Sequence, residues 1–580
     1  MIRKLFLEMV PVQALAVGLP AINGLLNTSI IGKFIGIDAL AAIGFAGPLI
    51  QIVSTIAVII STGAQLLCGR YLGEGNKENI RRVFSTALTM CVLLALPVML
   101  SCLFFSEKLA LLLGASQEHM ITTADYIRGY GFGVVFSVLS SSILPFLQLD
   151  KAGKRATLCV IVMAISNIGM NLLNAFWFRL GIFGVGLAVS VSNILMVLSA
   201  APHFAFKSTI FRYSIRFFSF GFIKEILYQG MPNAVNPLCN AFRNRIVNQV
   251  LLSLGGTVAV AAMTVGDNIA DAIGRVVDSG YSGSGRIMAS VLAGERDREN
   301  LRRLPKIMMR SAGYLYFMAY AIVFFFAKPI ALLMGADPAN IAVYILIIRI
   351  SNIWYLTTSV TSSVFCVLQG LGNVRLQSLL NLLNNFVFPA LLLMALKKPL
   401  GIPLAVGTAW ISNILLIGIY AVLYRTQANK WPPSILELIY IPESFGVLSE
   451  NTCSMTVRTL EESIAASEMT LDFCRKKGLE SKTAYFCSLC VEEMAANSVL
   501  HGFTKVKRAD CSLNVKVIYE DEGITIILRD DCPYFDPNRW LELCSSDDPI
   551  RGIGIRIVSK LSKKMEYTNT LGLNVLTIKI

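Results

Sequence analysis

The apolar part of this chain is written twice. GEGNKENIRR at 73–82 returns as GERDRENLRR at 294–303, LALLLGA at 109–115 returns as IALLMGA at 330–336, and the Leu-Gln pair ending at Gln148 returns at Gln369. The three pairs share one offset, since 294−73, 330−109 and 369−148 each give 221. A register held over that distance means two copies of one folding unit, and each copy holds several long apolar stretches. With 55% apolar and 15% charged residues and a mean hydropathy of +0.63, the 580-residue chain falls outside the range of soluble globular proteins and reads as a polytopic α-helical membrane protein.

Apolar runs near the roughly 20 residues needed to cross the hydrocarbon layer occur around 9–31, 44–68, 85–106, 127–148, 156–178 and 182–204, and again around 228–253, 257–281, 307–327, 342–369, 376–396 and 402–424. This predicts twelve spans in two six-helix repeats, and an even number per repeat makes the repeats parallel. Alternate short loops carry the cations, among them Arg70, Lys77, Arg81 and Arg82; Lys151, Lys154 and Arg155; and Arg296, Arg298, Arg302, Arg303 and Lys306. The positive-inside bias places these loops and both termini in the cytoplasm, and the formal charge of +14 is largely this topology signal, with no nucleic-acid partner implied. The opening MIRKLFLEMV runs into the first apolar stretch without a small-residue cleavage site, so it is expected to be retained.

The composition changes after residue 425, which divides the chain into an N-terminal lobe (1–210), a C-terminal lobe (211–425), a polar, proline-containing linker (426–450) and a domain of soluble character (451–580). That last part predicts helices at 454–478 and 482–500, strands at 511–519 and 524–529 joined by the Asp521-Glu522-Gly523 turn, a helix at 553–563 and a closing strand NVLTIKI, an α+β domain with helices on one face of a mixed sheet. Seven of the thirteen cysteines lie in it without paired spacing, so free thiols in a reducing compartment are expected. Cys487 and Cys490 have CxxC spacing inside a helical pattern, where burial as small packing residues and a metal or redox role are the two readings.

Three boxes follow in order. VEEMAANSVLHGF (491–503) puts Glu493 and Asn497 four apart on one helix face, RDD (529–531) closes a strand with Asp530, and RGIGIRIV (551–558) sets Gly552 and Gly554 where a helix begins. A carboxylate, an amide oxygen for Mg²⁺, a strand-end aspartate for an adenine amino group and a glycine turn that lets backbone N–H groups approach phosphates are what an Mg-ATP site requires. On these residues 451–580 resembles the GHKL ATPase fold, particularly its anti-sigma-factor serine kinase branch. The resemblance implies that Glu493 is the general base toward a protein serine, Asn497 the Mg²⁺ ligand, Asp530 the adenine acceptor, and Gly552 and Gly554 the lid glycines. Cys532 stands where that family usually has glycine, and the segment between the boxes is short. The three histidines, His119, His203 and His501, include none on a helix upstream of the boxes, which speaks against a histidine autokinase.

The segment GLPAINGLLNTSIIGKFIGIDALAAIGFAGP (18–48), the GRYLGEGN turn (69–76), LQGLGNVR (368–375) and GMP (230–232) repeating GLP (18–20) make residues 1–425 similar to the MATE family of multidrug and toxic-compound extrusion transporters. The resemblance implies twelve-helix antiporters that exchange organic cations against H⁺ or Na⁺, with Pro20 and Pro232 kinking the first helix of each lobe. Where the family commonly has carboxylates, this chain has Asn27, Asn171 and Asn240, and an amide coordinates a cation but does not titrate. Asn27, Asn167 and Asn171 therefore form either a polar pocket or interhelical packing bonds. Charge stands in the second lobe, with Arg243 and Arg245, then Asp267, Asp271, Arg275 and Asp278. Asp267, Asp271 and Arg275, four apart, predict a stripe facing a cavity, read either as a coupling and cation-substrate site or as an Asp-Arg network pinning two helices.

Two functions follow from these readings. One is an efflux antiporter of small organic molecules whose ATP-binding domain regulates it or phosphorylates a cytosolic protein. The other is a transporter-like sensor controlling a serine kinase or partner-switching module. The absence of a GxxxxGK[ST] loop from the sequence argues against ATP hydrolysis driving transport directly. A lipid-linked sugar flippase of related architecture remains a further substrate class.

Overall fold

A computed structural model describes residues 2–35, 37–115, 117–206, 209–270, 274–333, 338–505, 511–520, 523–543, 552–570 and 572–580. The chain divides into a large helical unit, 6–295 with 299–440, and a smaller one, 441–580 together with 1–5 and 296–298.

The first half of the helical unit contains α1 (Ile2–Phe34), α2 (Ile37–Gly73), α3 (Lys77–Phe104), α4 (Ser106–Leu112), α5 (Met120–Gly131), α6 (Val134–Leu149), α7 (Gly153–Leu173) and α8 (Gly181–Phe206). The second half contains α9 (Phe220–Ile269), α10 (Arg275–Gly294), α11 (Arg298–Phe325), α12 (Ala327–Leu333), α13 (Ile341–Ser351), α14 (Trp354–Gly370), α15 (Val374–Leu382) and α16 (Phe388–Ala428). Helical backbone occupies each of the twelve expected intervals. Among the described residues, however, eight helices are long and apolar enough to cross a membrane, or nine when α5 and α6, bent by 51°, count as one span.

Two glycines divide what would otherwise be continuous helices. Gly256 in α9 has φ 65° and Gly401 in α16 has φ 53°, a left-handed conformation that costs glycine little and other residues more. Gly256 falls between the expected intervals 228–253 and 257–281, so the turn separates two helices there, and the non-helical backbone in α9 lies at this glycine and not at Pro232. Close helix packing depends on other glycines. A Cβ on Gly63 would stand 2.0 Å from the Ile226 carbonyl oxygen and one on Gly230 would stand 2.0 Å from that of Ile59, so α2 and α9 meet backbone to backbone.

The smaller unit has a five-stranded sheet of β1 (Thr452–Val457), β2 (Leu513–Glu520), β3 (Gly523–Asp530), β4 (Lys564–Thr570) and β5 (Leu573–Lys579), in the order β1-β2-β3-β5-β4. Every pairing is antiparallel, which corrects the expected mixed sheet. Its helices are α17 (Leu460–Lys476), α18 (Ser481–Asn497), α19 (Pro537–Leu543) and α20 (Ile553–Leu561). The helix expected from 454 begins at 460 because Thr459 caps it, accepting from the Glu462 N–H at 3.2 Å, while Glu462 accepts from the Arg458 N–H at 2.6 Å. The residues before the cap, TCSMTV, alternate and form strand β1. Residues 521 and 522 of the expected hairpin turn lie outside the described residues.

Alternation on β2 and β3 buries Val515, Val517, Ile526 and Leu528 against Val491 and Met494 of α18 and Ile555 and Val558 of α20. Cys487 and Cys490 join this core, fully buried. A hydrogen bond with Cys474 and burial hold the Cys487 thiol protonated, and burial pushes Cys490 up to about 12. Of the two readings, this burial in the core favours packing.

Candidate functional site

In the smaller unit a cavity of about 400 Å³ is lined by Asn497, Asp530, Cys532, Trp540, Gly552 and Tyr567, among others. Helix α18 brings Asn497 to its edge. Glu493, one turn earlier, does not line the cavity but meets Gly554, where a Cβ would fall 2.1 Å from Glu493 Oε2 and 3.5 Å from Asn497 Nδ2. Gly552 caps α20 with φ 65°, and a Cβ there would stand 2.1 Å from the Trp540 ring. At Gly552 a side chain is excluded, at Gly554 one would displace the Glu493 carboxylate, and all five residues expected from the sequence come together at one end of the sheet.

Asp530 ends β3. Its Oδ1 accepts from the Cys532 N–H at 2.9 Å and from Asn574 Nδ2 at 2.8 Å. Both donors load one oxygen, so Oδ2 keeps its acceptor capacity, as an adenine amino group requires. Cys532 contributes through its backbone, while its buried side chain packs at Gly502, where a Cβ would meet Sγ at 2.8 Å. Burial, and then the neighbouring Asp530 carboxylate, push the Cys532 thiol far above its usual range, so it is held as a neutral thiol. Asn574, which holds Asp530 and also donates to the carbonyl oxygens of Cys532 and Pro533, was not read from the sequence. It sits at the start of the closing strand, where nothing local marks it.

In the helical unit a cavity of about 820 Å³ is lined by Asn240, Arg243, Asp267, Asp278, Trp354 and Asn384, with further Asn, Ser and Thr side chains. Of the residues expected there, Asn240 and Asp267 line it. Asp271 lies outside the described residues, and nothing is described of the side chains of Asn27 and Arg275. Asp267 lies near the end of α9 and Arg275 at the start of α10, with the middle member of the expected stripe outside the described residues. Asn167 and Asn171 are buried on α7, apart from this cavity, and Asn167 Nδ2 donates to Ser192 Oγ at 3.3 Å.

The cavity's amides were missed, although the sequence carries a signal for them. Asn171-Leu-Leu-Asn174 returns as Asn381-Leu-Leu-Asn384, an offset of 381−171, or 210, and π-helical turns begin at Asn174 and Leu383. In the first copy Asn174 closes its own loop, with Nδ2 donating to the Gly181 carbonyl at 2.8 Å and Oδ1 accepting from the Leu180 N–H at 3.0 Å. In the second, Asn384 Nδ2 donates to Asn413 Oδ1 at 2.9 Å. Asn384 Oδ1 and Asn240 Oδ1 are buried and accept no hydrogen bond among the described residues.

Comparison with known proteins follows the same division. The MatE family model matches residues 14–173 and 232–393, and a model described as a histidine kinase-like ATPase domain matches 457–580. A probable multidrug resistance protein of Bacillus subtilis, YoeA, is 27% identical over 200 residues, 34% of this chain and 43% of that protein. The multidrug export protein MepA of Staphylococcus aureus is 21% identical over 379 residues, 65% of this chain and 83% of that one. Among solved structures, the outward-facing conformation of a multidrug resistance MATE family transporter superposes with a TM-score of 0.68 at 20% identity, over 74% of this chain and 96% of that one. A transporter from Pyrococcus furiosus, described as having a binding pocket of reverse polarity, gives 0.66 at 20% identity, with the same coverage.

Proposed function

Because this chain belongs to the MatE family, whose model matches more than half of its residues in two repeats, we propose that it exports small organic molecules across the cytoplasmic membrane by antiport against a cation, with both termini in the cytoplasm. The observation that carries this reading is the 820 Å³ polar cavity with Asn240, Arg243, Asp267 and Asp278 in its wall, since ionisable groups at membrane depth are costly unless they pair or line a pathway. The multidrug names of YoeA and MepA support an organic substrate.

The domain at 451–580 binds Mg-ATP in this reading and regulates transport or phosphorylates a cytosolic protein. Asp530 Oδ2 receives the adenine amino group, the Gly552 turn exposes backbone N–H groups at the start of α20, and Glu493 accepts the proton of a protein serine. Asn497 would supply one oxygen to Mg²⁺. When bound, the ion neutralises charge on the transferred phosphoryl group.

A second reading, a membrane sensor for the kinase-like domain, is favoured by one observation. The first lobe carries amides at Asn27, Asn167 and Asn171, which do not titrate. Loss of ethidium from preloaded cells, compared with and without the expressed chain, tests the transport reading. Faster loss supports it, whereas unchanged loss together with ligand-dependent phosphorylation of a protein partner supports the sensor.

A further inference from the structure

One carboxyl group in the membrane cavity is held differently from a structural ion pair. Asp278 lies on α10 and lines the 820 Å³ cavity. Its Oδ1 accepts two hydrogen bonds from two other helices, from Ser362 Oγ on α14 at 2.6 Å and from Tyr316 Oη on α11 at 3.2 Å. Oδ2 takes no protein donor among the described residues. We propose that Asp278 is the group that takes up and releases the coupling ion of this transporter, that the ion is a proton, and that Ser362 and Tyr316 position the carboxyl for it. The proposal rests on the transport reading above and supplies its coupling residue.

The choice of a proton follows from the ligands. A metal cation at membrane depth requires several oxygens turned toward it, whereas the two hydroxyls that reach Asp278 spend their hydrogens on the carboxylate itself. With both donors on Oδ1, the remaining oxygen is the one free to be protonated. The step is simple in balance: the carboxylate and H⁺ give the neutral acid, with the proton on Oδ2, and the reverse releases it. Neutral hydroxyl donors suit a group that must exist in both states, because neither is pinned by a permanent cation in contact with it among the described residues.

Among the described residues, Arg243 and Asp267 of α9 are charged side chains lining the same cavity, and the other titratable or charged groups around Asp278 come from the helices packed beside it. On α11, Tyr316 touches it, and the Tyr316 ring stacks on Tyr355 of α14 with centroids 5.9 Å apart. Tyr281 lies one turn along α10 and donates to the Ser311 carbonyl at 3.2 Å. Arg286, two turns further along α10, is the cation whose field reaches Asp278. From α14, Cys366 lies a turn beyond Ser362. Helix α2 presents uncharged Gln51, Ser54 and Thr55 to the cavity, and α1 presents the amide of Gln13 at Gly283.

Two measurements on the full chain decide the proposal. In proteoliposomes, a pH gradient is expected to drive ethidium uptake by the wild type. Asp278→Asn is expected to lose that dependence, and Asp278→Glu to restore part of it. Gradient-driven uptake by Asp278→Asn, or a sodium gradient replacing the pH gradient in the wild type, would overturn the proposal. The second measurement needs no substrate: a hydrophobic carbodiimide reacts with protonated carboxyls in apolar surroundings, and labelling mapped by mass spectrometry is expected at Asp278 and to fall as pH rises. Absence of label at Asp278 at any pH would overturn the proton site. If the wild type moves no ethidium under any gradient, the transport reading fails for this probe, and the labelling still decides whether Asp278 exchanges a proton.

Discussion

Gly554 and Glu493 are in contact across the nucleotide domain, so close that a Cβ on the glycine would fall 2.1 Å from Glu493 Oε2. The obstacle is the free end of a flexible side chain, so Gly554→Ala displaces the carboxylate more than it strains the fold. Thermal unfolding is expected to change by less than about 1 kcal/mol, while phosphotransfer to a protein serine falls on the order of 100-fold, the scale of one general base. Phosphotransfer at the wild-type rate in this variant would remove Glu493 from that role.

Asp530→Asn separates adenine recognition from folding. The new amide oxygen still accepts from the Cys532 N–H and Asn574 Nδ2, while an NH₂ group replaces Oδ2 and faces the adenine amino group donor to donor. ATP affinity is expected to fall by roughly 10- to 100-fold, equivalent to one hydrogen bond to a charged group, and the preference for ATP over GTP to shrink. Isothermal titration with both nucleotides reads both effects.

Cys532→Gly restores the residue usual in the resembling family. Because Cys532 supports Asp530 through its backbone N–H, which glycine retains, ATP affinity is expected to stay within about threefold, under 1 kcal/mol. A larger loss in the same titration would assign the thiol a direct part in the pocket.

Glu437 follows the helical part of the chain and pairs with Lys306 at 2.8 Å and Arg302 at 2.9 Å. Its hydrogen bond to Lys306, then that to Arg302, hold its carboxyl below the usual glutamate range. A depressed folded-state value contributes stability above the unfolded value of about 4.3 and loses it as pH falls through the lower folded value. The wild type is therefore expected to exceed Glu437→Gln in thermal midpoint near neutrality, with the difference vanishing on acidification below the ordinary glutamate range.

Gly230→Ala meets backbone, the Ile59 carbonyl oxygen 2.0 Å from the new Cβ, so α2 and α9 must part. Destabilisation of about 1–3 kcal/mol is expected, read as a lower thermal midpoint in detergent. Gly418→Ala, with nothing within 4 Å, is the control and is expected to be neutral or stabilising.

Much of the architecture was legible because it depends on patterns that survive in one dimension. The 221-residue repeat and the apolar runs located the helices, and the boxes around Glu493, Asp530 and Gly552 marked residues that meet at one end of a sheet. What was hidden depends on neighbours distant in sequence. Strand β4 (Lys564–Thr570) is too polar to alternate visibly and takes its place by pairing with β5, and β1 merged with the helix that Thr459 begins. The significance of Asp278 rests on Ser362, 84 residues away, which no spacing rule connects to it.

The most direct test of the whole account is ethidium transport by the full chain in proteoliposomes under an imposed pH gradient, with Mg-ATP present or absent and Asn497→Ala alongside. The account predicts transport without nucleotide, a rate that Mg-ATP alters in the wild type, and no such alteration in Asn497→Ala. Transport that requires ATP hydrolysis, or that responds to Mg-ATP equally in Asn497→Ala, would contradict it.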